Sequence, residues 1–253
     1  MTTDNGFEHV LEDVTKHYEQ GKRVVQAVRG VSLQIPAGEF LSIMGPSGSG
    51  KSTCMHLLGA LDKPTSGRVL FRGRDLQKMS DSELSQLRRT KIGFVFQFFN
   101  LLPTLTAVEN VALPLILSGM RRSKALKPAQ AGLERVGLRE RATHFPDELS
   151  GGEMQRVAIA RALVIEPEAV LCDEPTGNLD TRTGHEILRL LRSLPEEGER
   201  SVVMVTHDAQ AARISDRIVH IRDGVVEHED IIETPELPED IPEAEETGTE
   251  RHF

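Results

Sequence analysis

The residues best suited to chemistry stand at 45–53: Gly45, Pro46, Ser47, Gly48, Ser49, Gly50, Lys51, Ser52 and Thr53. A glycine, four residues, then Gly-Lys-Ser is the spacing of a phosphate-binding loop. A triphosphate is highly charged and well hydrated, so a protein that captures one must offer many donors at close range. Glycines at 45, 48 and 50 let successive backbone N–H groups turn inward as an anion nest. A helix beginning near Lys51 adds its positive end. Lys51 would bring a full charge to the β- and γ-phosphates, and the Ser52 hydroxyl is of the type that ligates Mg²⁺.

Three later stretches could complete such a site. The apolar run 169–172 ends in Asp173 and Glu174. Downstream of a phosphate loop, Asp173 is placed to hold Mg²⁺ through its water shell and Glu174 to polarise an attacking water. His207 follows the apolar run 201–206. Ligands of open α/β sheets bind at the carboxyl ends of strands, which sets His207 apart from the other eight histidines. Ser150, Gly151, Gly152 and Glu153 open an amphipathic stretch that runs to about Val164. Ser150 and Glu153 have the spacing of a capping box. The two glycines weaken a first helical turn but leave bare N–H groups that suit a phosphate at close range.

The positioning elements are legible around these residues. Strand 40–44, the phosphate loop and a buried helix follow one another, the required setting for that loop. Residues 7–16 and 24–35 alternate apolar and polar and read as antiparallel strands. Tyr18, the only tyrosine, lies between them. It could pack at a strand end or offer a flat face to a base. A strand is expected at 68–73, a polar helix at 80–90 capped by Ser80 or Asp81, and a buried strand at 92–96 ending in Gln97. The apolar stretch 98–103 stands where a loop belongs and is either core or a surface meant for a partner. Helical periodicity runs through 106–117, 124–136 and 181–194, and a hairpin is expected at 218–226.

Composition bounds the class. The 253 residues carry a net charge of −9, and 229–253 alone hold ten Asp/Glu against one Arg. The remainder is formally neutral, so a basic nucleic-acid footprint is absent and no nucleic-acid partner is expected. No apolar run approaches bilayer length, and the N-terminus lacks a secretory pattern. Cys54 and Cys172 both sit among apolar residues and read as buried thiols rather than a disulfide. Residues 229–253 read as a disordered acidic tail.

In order, Tyr18, the phosphate loop, Gln97, Leu149-Ser150-Gly151-Gly152-Glu153, Asp173/Glu174 and His207 resemble the nucleotide-binding subunit of ATP-binding-cassette (ABC) transporters. The likeness covers about 7–228 and turns on the LSGGE string, which most phosphate-loop proteins lack. It implies an α/β fold with a RecA-like core, an antiparallel β subdomain and an inserted helical subdomain at about 98–165. Residues 1–228 would form the ATP-binding domain and 229–253 the tail.

The resemblance also implies roles. Tyr18 would stack on adenine, and Gln97 would contact Mg²⁺ or water and sense a membrane subunit. Leu149 to Glu153 would face the γ-phosphate of a second copy, with Asn178, Leu179 and Asp180 as the D-loop and His207 as the switch histidine. Two copies would sandwich two ATP molecules, and hydrolysis would drive an integral membrane permease from the cytoplasmic face. The strings around 173–180, with Gly177-Asn178, and 99–111 look like the lipoprotein-release (LolD-like) and macrolide-export (MacB-like) branch, whose membrane partner is of FtsX type. The cell-division ATPase FtsE is a near relative. A chromosome-maintenance ATPase would need a long coiled coil between Lys51 and Ser150, and a translation factor a second cassette; neither is present.

Overall fold

The computed structural model describes residues 6–21, 23–196 and 200–238. Two sheets organise the chain. The first is antiparallel, in the order β2-β1-β4-β5, from β1 (Phe7–Gln20), β2 (Arg23–Pro36), β4 (Ser66–Phe71) and β5 (Arg74–Asp75). The second has the order β10-β9-β3-β8-β7-β6. Its strands are β3 (Phe40–Met44), β6 (Ile92–Phe96), β7 (Ala169–Asp173), β8 (Ser201–Thr206), β9 (Arg217–Arg222) and β10 (Val225–Ile231). All neighbours in it run parallel except the β9–β10 hairpin at the edge.

The strand sequences explain this arrangement. β8 is buried along its whole length, as a parallel strand covered on both faces must be. Its side chains alternate: Val202 and Met204 join one apolar cluster, Val203 and Val205 the other. β7 repeats the pattern, with Val170 and Cys172 facing one way and Ala169 and Leu171 the other. One face packs on α1 (Lys51–Leu58), α2 (Asp81–Thr90) and the antiparallel sheet, through residues such as Met55, Leu58, Leu84 and Leu33. The other packs on α5 (Gly151–Leu163), α6 (Thr181–Glu196) and α7 (Ala209–Ala212), through Ile159, Ile187, Leu191 and Ala211. Cys54 and Cys172 therefore sit in different clusters, both free and buried. Burial pushes the Cys54 thiol up to about 12, so it is inert as a nucleophile.

The segment between β6 and β7 is helical, as expected. α3 (Ala107–Leu117) and α4 (Arg122–Arg135) pack with α5 through Val111, Ala129, Leu133 and Val157. Ser80 caps α2 by a capping box with Glu83.

One boundary differs from expectation. Composition places the acidic tail from 229, yet β10 continues through Glu229 and Asp230 to Ile231. Beyond it, the Ile232 N–H donates to the Asp216 carbonyl at 2.9 Å and the Glu236 N–H to the Arg213 carbonyl at 3.0 Å. Arginines hold the acids in place: Arg217 pairs with Glu229 and Arg213 with Glu236, both at 2.8 Å. Local composition suggested a solvated tail, but basic partners distant in sequence neutralise its first part. Residues 239–253 of the expected tail lie outside the described residues.

Candidate active site

The sheet order brings the expected residues together. β6, β7, β8 and β3 are consecutive neighbours, and their carboxyl ends lead to Gln97, Asp173/Glu174, His207 and Gly45 respectively. Met44 lies level with Thr206, and Asp173 level with both Val205 and Phe96. Four stretches spread over 45–207 thus end along one sheet edge, where ligands of such sheets bind.

The phosphate loop is shaped by close approaches. Gly50 has φ 102°, and a Cβ there would lie 2.2 Å from the Ala27 carbonyl. At Gly45 it would meet the Ile221 carbonyl at 2.0 Å. No other residue fits either place without moving backbone. The Lys51 ammonium donates to the Pro46 carbonyl at 2.9 Å, across the loop. Ser49 Oγ is buried with no hydrogen-bond partner, a polar atom left for an incoming anion. The turn of the β9–β10 hairpin braces the loop from behind, its Gly224 N–H donating to the Ser49 carbonyl at 3.0 Å.

The acids are arranged around this loop. Ser52 Oγ donates to Asp173 Oδ1 at 3.1 Å. Burial, with the neighbouring Glu174 carboxylate, holds the Asp173 carboxyl above the usual range, against the pull of the Ser52 hydroxyl, His56 and Lys51. A hydroxyl and a part-buried carboxylate within hydrogen-bond reach form a hard-oxygen donor pair that fits Mg²⁺. Glu174 Oε1 lies 3.0 Å from His207 Nδ1. Glu174 has φ 46°, a left-handed value costly for a residue with a side chain, and its N–H donates to the Val205 carbonyl at 2.9 Å. That hydrogen bond anchors the strained residue on the neighbouring strand.

Tyr18 and Gln97 occupy supported positions. The Tyr18 hydroxyl donates to Asp62 at 2.8 Å and shares a hydrogen bond with the Thr53 side chain, so the phosphate-loop helix holds the ring. Lys16 lies over the ring, 4.9 Å from its centroid, and pairs with Asp62. Asp62 was not anticipated; an acid at a turn carries no signal of a partner so far away in sequence. Gln97 and Asn178 exchange contacts: Asn178 Nδ2 donates to the Gln97 carbonyl at 2.9 Å, and Gln97 Nε2 approaches Asn178 Oδ1 at 3.4 Å. Asp180 accepts from the Thr183 N–H at the start of α6.

The 149–153 string does not share these contacts. Ser150 Oγ accepts from the Glu153 N–H at 3.2 Å, and Glu153 accepts from the Ser150 N–H at 2.8 Å. Glu153 also pairs with Arg141 at 2.8 Å. The capping box is therefore real, and Gly151 and Gly152 supply first-turn N–H groups with no partner inside their helix. Gly152 has a packing reason too: a Cβ there would lie 2.2 Å from Thr183 Cγ2. Leu149 is buried beneath the turn.

Taken together, the cradle, the hydroxyl–carboxylate pair and the carboxylate–imidazole pair define a nucleoside-triphosphate hydrolase of the phosphate-loop class. Comparison with known proteins narrows it. The ABC transporter family matches residues 28–177. The lipoprotein-releasing system ATP-binding protein LolD of Acinetobacter baylyi is 50% identical over 223 residues, 87% of this chain and 98% of that protein. The macrolide export ATP-binding/permease protein MacB of Chlorobaculum tepidum is 48% identical over 233 residues, 90% of this chain but 36% of that longer protein. A dimeric, post-hydrolysis structure of the ATP-binding cassette MJ0796, bound to ADP and Pi, superposes with a TM-score of 0.83 at 48% identity, covering 89% of this chain and 99% of that one. The chain belongs to the ABC transporter family. It is an ATP-binding subunit of LolD/MacB type, and its enzymatic activity is ATP hydrolysis.

Proposed function

We propose that this subunit binds two ATP molecules between two copies of itself and drives an FtsX-type membrane subunit in export or lipoprotein release. In this reading, Lys51 and the loop N–H groups hold the phosphates, Tyr18 stacks on the adenine, and Glu174 accepts the proton of the attacking water. His207 orients Glu174 and reaches the γ-phosphate. Ser52, Asp173 through water, and Gln97 would hold Mg²⁺. That ion, when bound, would neutralise the charge developing on the transferred phosphoryl group. Ser150, Gly151 and Gly152 would serve the nucleotide of the second copy, because in their own chain their contacts run to the capping box and α6 instead.

The observation that carries the membrane partner is an apolar face beside Gln97. Phe98 is 73% exposed, and Leu102, Leu117 and Leu61 are also exposed. Leu61 and Leu117 line a groove of about 390 Å³ together with Phe94, Phe96, Leu113 and Arg161. Arg161 and Asn110 hold the 98–105 loop by donating to the carbonyls of Phe99, Asn100, Leu102 and Leu105. A rigid apolar loop next to a catalytic glutamine suits a surface that transmits docking to the site. No helix among the described residues is long and apolar enough to cross a membrane. In this reading the subunit sits peripherally, on the cytoplasmic face of its membrane partner.

Gentle extraction of membranes followed by purification of the tagged chain tests this. Recovery of a four-span protein with a large extracytoplasmic domain supports the proposal. A six-span permease with a binding protein would make the subunit an importer ATPase. A stable complex that signals without moving cargo would favour an FtsE-like role.

A further inference from the structure

The β9–β10 hairpin carries a group the hydrolysis site does not use. His220 and His228 are direct cross-strand partners in register, and their rings stack with centroids 4.0 Å apart and planes 13° apart. Asp230 joins them: its Oδ2 is 2.9 Å from His220 Nε2 and 3.9 Å from His228 Nε2. Among the described residues, this is the one group of three His, Cys, Asp or Glu whose ligand atoms all lie within 4.8 Å of one another. Its histidines lie on a two-strand scaffold, whose pairing fixes their Cβ positions.

We propose that His220, His228 and Asp230 bind one divalent transition-metal ion, with Zn²⁺ as the best fit. Two imidazoles and a carboxylate select Zn²⁺, Co²⁺ or Ni²⁺ over Mg²⁺ or Ca²⁺, which prefer oxygen. Tetrahedral bonds of about 2.0–2.2 Å place ligand atoms ~3.3 Å apart, which His220 Nε2 and Asp230 Oδ2, now 2.9 Å apart, reach with a small opening. Parallel rings cannot both aim at one ion, so His228 turns out of the stack on binding. It is free to do so, because its side chain is 52% exposed. His220 is the anchored ligand, only 17% exposed on the strand beside β3. Three protein ligands leave a fourth position for water. At the rim, Glu227 lies 4.0 Å from His228 Nδ1 and is paired with Arg222 at 3.4 Å, so it adds little net charge.

The location gives such a site a consequence. His220 lies level with Met44, the residue before the phosphate loop. It lines a cavity of about 240 Å³ together with Gly45, Pro46 and His207. The hairpin turn itself donates to Ser49 of the loop. An ion that clamps the two strands thus stiffens the support behind the ATP phosphates.

The test is a Co²⁺ titration of untagged, nucleotide-free protein in excess Mg²⁺, followed by visible absorption, with Zn²⁺ displacement. The expected result is one Co²⁺ per chain with a low-symmetry spectrum that Zn²⁺ abolishes. His228→Ala, at an exposed position, should weaken binding at least ~10-fold. His220→Gln should do the same, while His17→Ala should bind as the wild type does. Equal Co²⁺ affinity in wild type and His228→Ala overturns the proposal. So does the absence of stoichiometric binding by wild-type protein with an unchanged melting temperature.

Discussion

The phosphate loop and the 149–153 turn are both anion-binding in type, but they are built in opposite ways. The loop at 45–53 is held by elements far away in sequence: Ala27, Ile221 and Gly224 press on it from behind, and Asp173 reaches Ser52 from another strand. The 149–153 turn satisfies its own side chains through the Ser150–Glu153 box. The first is a cradle whose supports all come from its own chain. The second is a surface whose first-turn N–H groups point to no group of their own helix. In the proposed reading, the nucleotide of a second copy is what those groups face. Residues 178 and 179 lie between the two regions: Asn178 bonds Gln97, and a Cβ on Gly151 would meet Leu179 at 3.5 Å.

The sharpest way to separate the regions is Glu174→Gln. A general base contributes about 10²–10⁴ in rate, or ~3–5 kcal/mol of barrier. Phosphate release should fall by that factor while ATP binding, measured by calorimetry, stays intact. Wild-type turnover would remove Glu174 from the base role. Retained binding without turnover should also trap a nucleotide-dependent dimer, which brings the 149–153 turn into view on a sizing column.

A pH effect of similar size arises in neither region and has to be controlled for. His9 is fully buried in the antiparallel sheet against Phe71, with ring centroids 4.9 Å apart. Its ring nitrogens find no well-formed partner, only a weak approach to the Leu58 backbone. Burial lowers its pKa from 6.5 to about 4. The unfolded chain therefore takes up a proton near pH 6.5 that the folded chain refuses until about 4. Stability is full above that window and falls as pH drops through it, by ~3 kcal/mol at most. Denaturant melts at pH 7 and pH 4.5 should show the loss, and His9→Leu should flatten it. An unchanged slope in that variant would mean other groups carry it.

The two regions also differ in how well they could be read from sequence. The phosphate loop, Asp173, Glu174 and His207 were legible because each follows an apolar run, and parallel strands all end on one side. The contacts of Tyr18 with Asp62 and Thr53, and of Gln97 with Asn178, were not, because no local pattern encodes a side-chain hydrogen bond across 44 or 81 positions. The end of β10 was missed for a related reason: Arg213 and Arg217 neutralise acids that composition alone assigns to water. At Gly152 the sequence points to a bare N–H, whereas the closeness of Thr183, which leaves no room for a Cβ, is a packing constraint that only the fold reveals.

That last difference is testable with the two adjacent glycines. A Cβ on Gly151 meets nothing closer than Leu179 at 3.5 Å, but on Gly152 it meets Thr183 Cγ2 at 2.2 Å. Thr183 cannot simply rotate, because its side chain also hydrogen-bonds Asp180. Gly152→Ala should therefore cost about 1–2 kcal/mol net, overpacking outweighing a helix-propensity gain of ~1 kcal/mol. Gly151→Ala, which meets only ordinary contacts, should keep that propensity gain and raise the melting temperature by up to ~2–4 °C. Equal melting curves for the two variants would show that α6 yields at Thr183.

The smallest effect asks what Ser150 does. As an N-cap it should contribute about 1 kcal/mol, so Ser150→Ala should lower the melting temperature by ~2–4 °C. Asparagine caps as well as serine, so Ser150→Asn should restore it. The nucleotide-trapped dimer gives the second reading, taken in the Glu174→Gln background. A hydroxyl that only caps its helix would let Ser150→Asn dimerise normally. A hydroxyl that meets the phosphate of the second copy is short and must be a hydroxyl, because the larger amide holds the two surfaces apart. The expected pattern is recovered stability without recovered dimer. Recovery of both would confine Ser150 to its own helix and leave Gly151 and Gly152 as the groups that face the partner's nucleotide.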